Sequence, residues 1–176
     1  MKKILILIFA TIPTLGIAQK TYPIGEKDTL KLVHLDSLIF NKINKYRLTI
    51  GQPAVEVFDM GELRTVSYAL TDLNTSRSIY QFDHTRDPQK IFKGYNGECI
   101  YQFTTDGTIP LTDNVLNETE INYLAAKTVQ AWIDSPNHNW IIGAGLIKAV
   151  TVTSTIIITN RNLTLVVSYH HIDAAP

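Results

Sequence analysis

Two imidazoles and one carboxylate, carried on three separate segments, are the residues of this chain best suited to chemistry. They are His84 in Phe82-Asp83-His84, Glu98 in Gly97-Glu98-Cys99-Ile100, and His138 in Ser135-Pro136-Asn137-His138. A neutral imidazole offers a lone pair to a divalent ion such as Zn²⁺, and its charge changes near neutral pH. Glu98 follows a glycine and precedes two apolar residues, so partial burial is expected. A buried carboxylate is costly unless it is paired or hydrogen-bonded, and a histidine partner would meet that need. Together the three side chains are the minimum set for a polar or metal-binding cleft. With His84 and His138 as metal ligands, water would fill the open position. Glu98 could then act as general base toward that water.

The other candidates are weaker. His170 and His171 are neighbours on an expected strand, so they point to opposite faces and cannot share one ion without distortion. They are expected to be exposed strand-end residues. His34 precedes the first expected helix and is given no role. No serine has a nucleophile-elbow context and no glycine-rich phosphate loop is present. The single cysteine, Cys99, cannot form an internal disulfide. It is read as a small buried apolar residue, with a reactive thiol as the alternative. Asn74, Asn117 and Asn162 head Asn-x-Ser/Thr sequons, a pattern common by chance.

The elements that must position these residues follow from hydrophobic periodicity. Leu35, Leu38, Ile39, Ile43 and Tyr46 fall at helical spacing, and Gly51 with Pro53 closes that segment. A second helix is predicted from Asp59, with Glu62 as capping-box partner and a stripe of Leu63, Val66, Leu70 and Leu73. A third is predicted from Asn117, with Glu120 in the same capping relation. Its stripe is Ile121, Leu124, Ala125, Thr128 and Trp132, and Pro136 stops it by pushing Ser135 out of helical geometry. Ala149 to Ile158 and Leu163 to Tyr169 are rich in β-branched residues and flank a turn sequence, Thr159-Asn160-Arg161-Asn162, which predicts a β-hairpin. Residues 75–116 are the least periodic and read as loop and short strand. The sum is an α+β layered domain.

Residues 1–18 read as a signal peptide: Lys2 and Lys3, an apolar run from Ile4 to Leu15, and small residues ending at Ala18. The apolar run is too short for a confident transmembrane span, and no later stretch matches its length, so no integral membrane segment is expected after cleavage. Residues 19–34 read as a leader segment and residues 35–176 as one domain. Residues 1–18 hold two lysines and no acid, so the 16 basic and 16 acidic residues of the chain become 14 and 16, a formal net charge of −2. A near-neutral balance gives no electrostatic case for nucleic acid or anionic membrane as main partner.

In their order along the chain, these pieces resemble the CAP superfamily of secreted proteins (cysteine-rich secretory, antigen 5 and pathogenesis-related), and most of all its bacterial SCP-like branch. Ile43-Asn44-Lys45-Tyr46-Arg47 is similar to the family's Asn-x-x-Arg opening helix, and Phe58-Asp59-Met60-Gly61-Glu62-Leu63 to the start of its next helix. Gly97-Glu98 is followed by Cys99 where the family usually has asparagine. Trp132 leads to Ser135-Pro136-Asn137-His138, where the bacterial branch has Ser-Pro-Gly-His, and the resemblance implies that the turn survives because Asn137 tolerates the left-handed backbone that glycine favours. The resemblance covers roughly residues 35–170. It implies a three-layer α-β-α sandwich of CAP type in which His84, Glu98 and His138 line a central cleft. Ser135 stands where many eukaryotic members place a second glutamate, so their four-residue set is incomplete here.

The implied function is a secreted or periplasmic binding or interaction module whose cleft holds a small molecule, a lipid or a protein partner, with Zn²⁺ or another divalent ion as the candidate cofactor. A metal-dependent hydrolase or peptidase using the same cleft is the alternative, and a purely structural domain with a vestigial cleft is the third reading.

Overall fold

The computed structural model describes residues 21–23, 27–58, 61, 64, 65, 67–69, 71, 95–105, 115–159 and 162–173. The expected signal peptide, His84 and the expected second-helix stripe of Leu63, Val66, Leu70 and Leu73 lie outside the described residues. The fold is α+β. In chain order the elements are strand β1 (Thr21–Pro23), β2 (Lys27–Leu30), helix α1 (Val33–Thr49), β3 (Val57–Phe58), β4 (Tyr95–Thr104), β5 (Val115–Asn117), α2 (Glu118–Asp134), α3 (Pro136–Ile142), β6 (Ile147–Thr159) and β7 (Asn162–Asp173). Between β3 and β4, the described residues from Gly61 to Thr71 are also helical.

The main sheet runs β2-β6-β7-β4, with β3 added beside β6. Its centre is the predicted hairpin: β6 and β7 pair antiparallel from Thr159↔Asn162 to Ile147↔Asp173. β4 pairs antiparallel with β7, and β3 runs parallel to β6. β1 and β5 form a separate two-stranded sheet.

Side chains alternate between the two faces of each strand. On one face, Cys99, Val150, Val152, Leu165, Val167 and Tyr169 meet Leu35, Ile39 and Ile43 of α1 and Leu124 and Trp132 of α2 in one buried cluster. The α2 stripe is thus the predicted one. Trp132 is 1% exposed, packs edge-on to Tyr169 with ring centroids 5.9 Å apart, and donates its indole N–H to the Ile100 carbonyl at 3.3 Å.

The helix ends follow their local chemistry. Asn117 accepts the backbone N–H groups of Thr119 and Glu120, while the Glu120 carboxylate accepts the Asn117 N–H at 2.7 Å, completing the predicted capping box. Past α1, Gly51 adopts φ 77°, a left-handed conformation that glycine takes at little cost. Asn44 holds the following loop by exchanging two hydrogen bonds with the Val55 backbone. Arg47 donates to the carbonyls of Pro53, Ile142 and Ala144, tying α1 to the α3–β6 connection.

Four expectations are corrected. The segment 19–34, expected as a leader, contributes β1 and β2, and α1 begins inside it at Val33. β2 pairs with β6 along Lys27↔Thr159 to Leu30↔Ile156, so backbone hydrogen bonding recruits residues whose side chains gave little periodic signal. Pro136 ends α2 but also starts α3 at its first helical turn, where its missing N–H costs nothing. Asn137 is therefore helical and does not hold a left-handed turn. Within 75–116, expected as loop and short strand, Tyr95–Thr104 is one strand of ten residues.

Candidate functional site

Strand β4 turns consecutive side chains to opposite faces of the sheet, and this separates the site into two halves. Glu98 stands opposite His170 of β7, which stands opposite Thr151 of β6. Cys99, one residue on, faces the apolar cluster.

On the Glu98 face, His170 Nε2 lies 3.1 Å from Glu98 Oε1, and His170 Nδ1 lies 2.7 Å from the Ser67 hydroxyl oxygen. In the neutral tautomer that donates Nε2–H to the carboxylate, Nδ1 accepts the Ser67 proton. The Thr153 hydroxyl, 2.7 Å from Ser67 Oγ, is then free to donate to it. Thr71 extends the network, lying 2.8 Å from Thr153 Oγ1 and 2.9 Å from Ser168 Oγ. Glu98 is 8% exposed, and Ser67, Thr71, Thr153, Ser168 and His170 are fully buried. This polar layer pins the helical residues Ser67 and Thr71 to the sheet face opposite the apolar cluster.

A second buried carboxylate joins the layer to α1. Asp36 accepts from Arg64 Nη2 at 2.8 Å, from the Tyr68 hydroxyl at 3.0 Å and from Ser154 Oγ at 2.5 Å. Burial pushes its carboxyl up to about 6, against the opposing pull of Ser154, Tyr68 and Arg64.

On the Cys99 face, the thiol lies 3.8 Å from the His138 carbonyl oxygen. Cys99 is buried, and burial raises its thiol well above the ordinary range, as the reading of a small buried apolar residue requires. His171 is 3% exposed, with Nε2 3.2 Å from Asp173 Oδ1. Burial drives its imidazole down to about 4, so it is neutral at physiological pH. Gly97 lets that ring approach the backbone: a Cβ there would sit 2.3 Å from His171 Cε1.

Of the three sequence candidates, His84 lies outside the described residues. Glu98 is where its flanking residues predicted, buried and engaged by a histidine. His138 lies in α3, half-buried, with its backbone on the Cys99 side of β4. The described partner of Glu98 is His170, which the sequence reading missed. His170 and His171 are corrected from exposed strand-end residues to interior ones. The sequence signal for the burial of His170 is that it directly follows the β-branched run Leu163 to Tyr169, but nothing local pairs it with Glu98. His34 also has a role, joining the first turns of α1 and α2 through contacts of 2.9 and 3.0 Å with the Glu118 carboxylate.

For a divalent ion, the described donors are poorly placed. Both nitrogens of His170 are engaged, and the Glu98 oxygen faces that ring. No group of three or more His, Cys, Asp or Glu among the described residues is arranged to hold a metal. Among the described residues no helix is long and apolar enough to cross a membrane.

No protein-family model and no curated protein matches the chain. Among solved structures, the chain is similar to an outer surface protein from Borrelia burgdorferi, with a TM-score of 0.52 and 15% identity over 84% of this chain and 99% of that one. At that identity the likeness is one of fold.

Proposed function

We propose that the chain is an exported binding or interaction module of CAP type, built as a three-layer α-β-α sandwich, in which the Glu98–His170–Ser67 chain holds the scaffold together and catalyses nothing. The carrying observation is that this chain is closed. Its residue types are those of a nucleophile, a base and an orienting acid. Yet Ser67 is fully buried, its oxygen is shared between His170 and Thr153, and both imidazole nitrogens are occupied. A hydrolase must present its nucleophile or base to a substrate. Export is supported by the signal-like residues 1–18 and by the fold shared with an outer surface protein.

The test is labelling with a fluorophosphonate probe, which modifies activated serines. No labelling of Ser67 is expected at neutral pH in the folded protein, whereas labelling that disappears in Ser67→Ala and His170→Ala would establish a serine hydrolase instead. Calorimetric titration with Zn²⁺ covers the metal-dependent alternative. Stoichiometric binding abolished in the His84→Ala, His138→Ala double variant would replace this reading with a metal cleft.

A further inference from the structure

The exposed flank of α2 and strand β4, which lies at the sheet edge among the described residues, border an open groove of about 480 Å³, away from the Glu98–His170 layer. Tyr123, Lys127, Gln130 and Asp134 line it at i, i+4, i+7 and i+11, one stripe of the helix beside its buried face. Tyr101 of β4 forms the other wall, and Ala126 keeps it open. Tyr123 is 47% exposed. The Tyr101 ring lies nearly parallel to that of Phe103, with centroids 6.5 Å apart and 5° between planes, so β4 carries an aromatic strip. Lys127 Nζ lies 4.6 Å from the Phe103 centroid and 5.8 Å from that of Tyr123.

This lining selects among ligand classes. Aromatic faces invite either a cation or a ring with polarised C–H groups. Lys127 already occupies the cation position over two of the rings, so a second positive charge is disfavoured. Asp134 at the other end disfavours an anion, and the two charges nearly cancel. An open, shallow shape does not enclose a wholly apolar molecule as a buried pocket does. What remains is a neutral ligand with one apolar face and a rim of hydroxyls. The Lys127 ammonium and the Gln130 amide can donate to such a rim, and the carboxylate of Asp134 and the carbonyl of Gln130 can accept from it; Gln130 and Asp134 already hold each other at 2.8 Å.

We propose that the α2–β4 groove binds a neutral carbohydrate, with a sugar ring stacked on the Tyr123 and Tyr101 walls and its hydroxyls held by Lys127, Gln130 and Asp134. The experiment is an amide NMR titration of the protein with cellohexaose, chitohexaose and mannohexaose in turn. Tetramethylammonium and a sulfated hexasaccharide serve as the cationic and anionic probes. At least one neutral hexasaccharide is expected to shift the amides of Tyr101, Tyr123, Lys127 and Gln130. Binding should weaken about three- to tenfold in Tyr123→Ala, the loss of one stacking contact. Because Tyr123 is half exposed, the variant should melt like the wild type, and Glu98→Gln should leave sugar binding unchanged. The proposal is overturned if no neutral hexasaccharide moves those resonances, if Tyr123→Ala binds as tightly as the wild type, or if either charged probe binds the groove more tightly than the sugars.

Discussion

Two buried ionisable groups give this protein opposed pH dependences. Asp36 has a folded value raised to about 6 from 3.8. Its contribution to stability is therefore fully present below 3.8 and is lost as pH rises through about 6. His171 has a folded value lowered to about 4 from 6.5, so its contribution is present above 6.5 and is lost as pH falls through about 4. Each shift corresponds to about 3 kcal/mol at full effect, and over pH 4–6.5 the two oppose each other. His171→Phe should remove one of them. Relative to wild type, its stability should then rise on acidification across that window, and Asp36→Asn should show the reverse; urea melts at half-unit pH steps would show parallel curves if the two groups did not matter. Gly97→Ala is expected to cost about 1–3 kcal/mol, because the added methyl overlaps the buried His171 ring. If it unfolds at wild-type urea concentration, the close approach of that ring to β4 is misplaced. At this scale the sequence revealed that Glu98 is buried but not which residue meets it, since Glu98 and His170 are 72 positions apart and only strand pairing joins them.

Elements with local signals were the legible ones. The start of α2 was fixed by Asn117 and Glu120, which act on each other within one turn, and its end by Pro136. The β6–β7 hairpin was carried by two β-branched runs around a polar turn. β4 was hidden because Ile100 stands among Glu98, Gln102 and Thr104 on one face and interrupts the alternation that puts Cys99, Tyr101 and Phe103 on the other. α3 was hidden because Pro136 is a stop signal for one helix and a permitted first residue for the next. Two substitutions test α2. Asn117→Ala should cost about 1 kcal/mol by removing the cap. Trp132→Ala should cost about 3–5 kcal/mol by emptying a large aromatic site against Tyr169. Thermal melts decide both, and a Trp132→Ala protein melting like wild type would mean that α2 does not pack on this sheet through its Trp132 stripe.

At the scale of the whole molecule, the sheet separates an apolar interior, closed by α1 and α2, from a polar layer closed through Ser67 and Thr71. The sequence supported an α+β domain, because the helices and the hairpin announce themselves by their hydrophobic periodicity. It could not show that the second layer is polar, because its members are scattered from Ser67 to His170 and converge only in the folded state. A buried hydrogen-bonded pair stabilises only while both members are present, and removing one leaves the other stranded. The most direct measurement is therefore a double-mutant cycle between Glu98 and His170, using denaturant unfolding of Glu98→Ala, His170→Ala and the double variant. A coupling energy of about 1.5–3 kcal/mol is expected for a buried hydrogen bond to a charged group. Costs that add to within about 0.5 kcal/mol would contradict the closed Glu98–His170–Ser67 chain, and with it the view that these residues hold the fold together.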